Sequence, residues 1–111
     1  MKACYSVNTK KGVRRILQII KIKYPYSFLR VYYSDETLSD YKNSQSIRWL
    51  DNKKIGFKRL GKVGALLAKS LRAIKELSDA WISQYWFIVI IKKGTTWDEL
   101  EPKILQFFDR F

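Results

Sequence analysis

Asp51-Asn52-Lys53, with Asp35 or Asp40 upstream, has the residue types of a metal-dependent nuclease centre, in which two carboxylates hold magnesium and a lysine helps to activate water. The same Asp51-Asn52 pair is equally well explained as a turn. Gly56-Phe57-Lys58-Arg59-Leu60-Gly61-Lys62 has the spacing of a phosphate-binding loop, but Val63 stands where that chemistry needs a Ser or Thr to ligate magnesium. What survives is electrostatic: two glycines loosen the chain ahead of a helix, and Lys58, Arg59 and Lys62 flank its start, where free backbone N–H groups favour a phosphate. Other catalytic chemistries lack their parts. The chain has no histidine, which excludes serine triads, cysteine-histidine pairs and histidine-based zinc sites, and its one cysteine cannot build a cysteine zinc site. A ribonuclease working through Tyr, Lys and Arg is not excluded by composition. No catalytic residue, metal or cofactor is assigned.

The strongest signal is charge. Twenty-two Lys and Arg against ten Asp and Glu give a net charge of +12 over 111 residues, a self-repulsion that opposes folding unless the charge is used. Residues 1–34 contain eight cations and no acid, and residues 52–75 again contain eight cations and no acid. Lys10, Lys11, Arg14 and Arg15 fall at the start of a first helix, where cations oppose the macrodipole and an anion would relieve the conflict. Aromatic residues interleave with cations at Phe28-Leu29-Arg30-Val31-Tyr32 and Ile47-Arg48-Trp49, so bases could stack on Tyr32 and Trp49 beside Arg30 and Arg48. The expected nucleic-acid contacts are Lys10, Lys11, Arg14, Arg15, Arg30, Arg48, Lys53, Lys54, Lys58, Arg59 and Lys62, acting mainly on the phosphate backbone. The plainer alternatives are that the cations serve only solubility and the aromatics only the core.

The elements that must position these residues follow from hydrophobic periodicity. Lys2 to Asn8 alternates as a strand; Thr9 then caps an amphipathic helix on Val13, Ile16, Leu17, Ile20 and Tyr24, ended by Pro25. Phe28 to Tyr33 reads as a second strand. Ile47 and Trp49, then Ile55 and Phe57, alternate about Asp51-Asn52 as a hairpin. Leu60, Val63, Leu67, Leu71, Ile74, Leu77 and Trp81 mark one long helix. Tyr85 to Lys92 is a near-continuous apolar run, predicting a central strand with Trp86 and Phe87 in the core, and Thr96 with Glu99 forms a capping box for a last helix carrying Leu100, Ile104, Phe107 and Phe108.

Read this way, residues 1–111 form a single α+β domain: a ferredoxin-like β-α-β-β-α-β sandwich with a β-hairpin elaboration and an extra C-terminal helix. That strand order is shared with the RNA-recognition motif, yet Lys54-Ile55-Gly56-Phe57-Lys58 lacks that family's signature, and no family is claimed. With no apolar leader, no run long enough to span a membrane and a lone Cys4 read as a small buried hydrophobe, a cytoplasmic protein is expected. The leading expectation is a small, non-enzymatic nucleic-acid-binding protein. The alternatives are a virus- or plasmid-type regulator that docks on an acidic protein, and the metal-dependent nuclease; a homodimer is compatible with any of them.

Overall fold

The computed structural model describes residues 3–9, 12–21, 28–34 and 36–107. The protein is α+β. Strands β1 (Ala3–Thr9), β2 (Gly12–Lys21), β3 (Leu29–Ser34) and β4 (Gln45–Ser46) precede helix α1 (Ile47–Asn52), a 3-10 turn (Phe57–Leu60) and helix α2 (Gly61–Arg72); β5 (Leu77–Ile82), β6 (Trp86–Ile91) and helix α3 (Trp97–Leu105) complete the chain. All six strands form one sheet in the order β1-β2-β3-β6-β5-β4, and every neighbouring pair is antiparallel.

Three expected elements are replaced. The first helix is instead strand β2, paired on one side with β1 from Ala3↔Gln18 to Thr9↔Gly12 and on the other with β3. Val13, Ile16, Ile19 and Ile20 are β-branched and fit a strand as well as a helical stripe. The strand also spares Arg14 and Arg15 a place at the positive end of a helix dipole. The predicted hairpin at Asp51-Asn52 is helix α1, because the residues that bury are Ile47 and Leu50, three apart, and not an alternating set. The long helix ends at Arg72. Leu77 and Trp81 belong to β5, where pairing with β6 overrides an i, i+3, i+4 spacing that runs on without a Gly or Pro to stop it. With a strand in place of the first helix, the β-α-β-β-α-β order of a ferredoxin-like sandwich is not the one adopted. The Phe28–Tyr33 and Tyr85–Lys92 strands and the C-terminal helix are present, the last begun at Thr96 without the expected side-chain cap.

One sheet face, carrying Tyr32, Leu77, Ala80, Ile82, Phe87, Val89 and Ile91, packs against Leu67, Ala68 and Leu71 of α2, Ile47 and Leu50 of α1, and Leu100 and Ile104 of α3. Across the β3-β6 pairing the Tyr32 and Phe87 rings stack with centroids 5.0 Å apart. The pleat sends Tyr33, Trp81, Trp86, Ile88 and Ile90 to the opposite face, where Tyr33 and Trp81 are exposed and the others half-buried. Trp86, expected in the core with Phe87, is therefore on the outer face.

The segment after β3 is fastened to this frame by its backbone: the Leu38 N–H donates to Gln84 and the Asp40 N–H to Leu60. That close approach depends on Gly64, buried in α2. A Cβ there would lie 2.7 Å from the Leu60 Cβ and 2.9 Å from the Leu38 carbonyl oxygen. Gly64→Ala should therefore lower stability by about 1–3 kcal/mol, although alanine is the better helix former; a lower urea midpoint at unchanged slope checks it.

Candidate nucleic-acid interface

The cations expected at the interface divide into three groups. Arg30 is not at the surface. Its side chain is 8% exposed, its Nη1 donates to Glu101 Oε1 at 2.9 Å, and its guanidinium lies 4.5 Å from the Trp97 ring centre. Tyr32 is fully buried and donates its hydroxyl to the same Glu101 oxygen at 2.6 Å, so it offers no ring to a base. The alternation that placed Arg30 and Tyr32 on one sheet surface is right, but that surface faces α3. Burial, and then the hydrogen bond to Glu101, push the Tyr32 phenol well above the ordinary tyrosine range. Lys10 and Lys11 lie outside the described residues, and Arg14 and Arg15 fall on β2.

The third group is exposed and falls within residues 48–62. Arg48 lies on α1, Lys53 and Lys54 in the turn after it, Lys58 and Arg59 in the 3-10 turn, and Lys62 in the first turn of α2. Among the described residues no carboxylate makes an ion pair with any of these six, although Arg59 lies over the Tyr41 ring at 5.0 Å. The glycines bounding the 3-10 turn, Gly56 and Gly61, have φ of 81° and 86°, which makes the chain reverse sharply between α1 and α2. At the start of α2 the Asp40 carboxylate lies close against Gly61, where a Cβ would meet it, and no side chain caps the helix.

Helix α1 is anchored at both ends. At its start Ser46 accepts from the Trp49 N–H at 3.1 Å and donates its hydroxyl to Asp79 Oδ2 at 2.7 Å, while Asp79 Oδ1 accepts from the Arg48 N–H at 3.1 Å. At its end the Ile55 N–H returns to the Leu50 carbonyl and the Lys54 N–H to that of Asp51, a Schellman closure with Lys54 at φ 56°, the left-handed position where glycine is usual. Trp49 is 45% exposed on this helix and Trp81 is 37% exposed on β5; together with Ser44, Gln45 and Ser46 they line a groove of about 390 Å³. Trp49 was legible as an exposed aromatic beside a cation. Trp81 was not, because its spacing placed it on a buried helical stripe.

Of the carboxylate-lysine centre, only Asp51, Lys53 and Asp40 lie among the described residues. Asp51 Oδ2 accepts from Arg72 Nε at 2.8 Å, Asp40 is against Gly61, and Asp35 falls outside the described residues. Among the described residues no three His, Cys, Asp or Glu side chains cluster to hold a metal, and no helix is long and apolar enough to cross a membrane.

Two substitutions test this account. Lys54→Gly should raise stability by about 1 kcal/mol by relieving the left-handed backbone, read as a higher urea midpoint. For Tyr32, the folded chain keeps its proton at a pH where the unfolded chain, with an ordinary phenol near pH 10, has lost it. Stability therefore falls as pH rises beyond about 10. Tyr32→Phe should cost about 1.5–3 kcal/mol at neutral pH and make the alkaline decline shallower than in the parent, measured by urea midpoints between pH 8 and pH 11.

Neither known protein families, curated proteins nor solved structures give a match to this chain, so its reading rests on its own geometry.

Proposed function

We propose that this protein binds nucleic acid, chiefly by contacts to the phosphate backbone from Arg48, Lys53, Lys54, Lys58, Arg59 and Lys62. The observation that carries the reading is that these six exposed cations, all within residues 48–62, have no carboxylate partner among the described residues, while the next cation to form an ion pair, Arg72, bonds Asp51. Unpaired cations along one folded stretch raise the local potential and recruit a polyanion whose condensed counterions are released on binding. The exposed Trp49 at the head of this stretch supplies an aromatic surface of the kind that single-stranded nucleic-acid sites combine with cations.

If about five or six phosphates are neutralised, log K falls with log salt at a slope of about −5 on duplex and about −4 on single strands. Replacing Lys53, Lys58, Arg59 and Lys62 together by Gln should weaken binding to all sequences alike and reduce the slope by about one per lost contact, measured by fluorescence anisotropy at several salt concentrations. A folded quadruple variant that binds with the parent's affinity and slope would show the mapping to be wrong. Equal affinity for polyglutamate would assign the surface to acidic proteins instead.

A further inference from the structure

We infer that the nucleic acid is single-stranded and that a base stacks in the groove lined by Trp49 and Trp81. This rests on the phosphate-binding reading above and deepens it.

Exposing one indole is unexceptional; two lining the same groove are harder to explain by folding alone. Each has buried neighbours that already anchor its element: Ile47 and Leu50 in α1, Ala80 and Ile82 in β5. The two elements are also tied to one another. Ser46, three residues before Trp49, is the register partner of Trp81, and its hydroxyl bonds Asp79, two residues before Trp81. Asp79 in turn accepts the Arg48 N–H. This short chain of bonds sets the backbones carrying both rings in a fixed relation, so the groove is pre-organised. Its volume of about 390 Å³ lies within the usual ~300–1,000 Å³ of small-ligand sites. Ser44 and Gln45 add polar groups able to meet a base edge.

Charge complementarity selects the occupant. Lys53 stands one helical turn after Trp49, with its backbone N–H donating to the Trp49 carbonyl at 3.0 Å, so a base in the groove brings its phosphates toward this exposed cation. A duplex hides its base faces, whereas a single strand presents them. The outer sheet face extends the platform: Trp81 pairs in register with Ile88, and beyond it lie Tyr33 and Trp86, ring centres 6.5 Å apart.

The test is anisotropy with labelled dT and rU decamers and a decamer duplex, on the full chain and on Trp49→Ala, Trp81→Ala and Trp49→Phe, with circular dichroism confirming each fold. The decamers should bind at least tenfold more tightly than the duplex, and either alanine variant should lose about tenfold to a hundredfold on the decamers. Neither variant should change the salt slope or the duplex affinity, and Trp49→Phe should keep most of the binding. A difference between dT and rU identifies which strand is preferred. Duplex bound as tightly as the decamers, or alanine variants without loss at an unchanged slope, overturns the stacking groove while leaving the phosphate reading in place. A parent with no salt dependence overturns that earlier reading instead. A change in oligomeric state in the alanine variants, with decamer affinity intact, assigns the indoles to self-association and refutes the groove.

Discussion

The packing of α3 against the sheet depends on one carboxylate. Glu101 would be costly to remove from water unpaired, and it is compensated by the Arg30 guanidinium and the Tyr32 hydroxyl, both on the central strand β3. The consequences spread from there. The Tyr32 ring stacks on Phe87 and so reaches β6, and Arg30 lies over Trp97 at the first turn of the helix. The apolar stripe of Leu100, Ile104 and Phe107 supplies adhesion, but greasy surfaces slide easily. A hydrogen-bonded charge inside the interface sets one position along the sheet, since any other would leave it unsatisfied.

Four other acids also make contacts within the fold. Of the ten Asp and Glu, Asp79 holds the start of α1, Asp40 lies against Gly61, Asp51 bonds Arg72, Glu76 bonds Lys103 and Glu101 locks α3. The hydrogen bond from Lys103 holds the Glu76 carboxyl below its usual range. Asp51 and Asp40 lie among the cations of α1 and α2, yet among the described residues neither makes an ion pair with Arg48, Lys53, Lys54, Lys58, Arg59 or Lys62.

Legibility in the sequence followed how local the deciding interaction was. Strands β3 and β6 and helix α3 were readable because β-branched and aromatic composition, or an acidic first turn followed by an apolar stripe, needs no distant partner. Strand β2 was not, since Val13, Ile16, Leu17 and Ile20 recur at helical spacing while β-branched Val13, Ile16, Ile19 and Ile20 favour a strand, and only pairing with β1 and β3 decides between them. The end of α2 failed for the same reason, with Leu71, Ile74 and Leu77 continuing a helical rhythm into a strand. The cations from Arg48 to Lys62 could be named from charge alone, whereas the burial of Arg30 and Tyr32 required knowing that Glu101, 71 and 69 residues away, faces them.

Strand β4 is only two residues long, and the chain turns from it directly into α1. Beyond that pairing, a longer fourth strand would have displayed a ladder of open donors and acceptors to any extended peptide nearby. Cutting the strand short and closing it with a capped helix leaves little template at this margin for another chain to extend. The aromatic groove can therefore sit beside the rim of the sheet without a long open strand edge next to it.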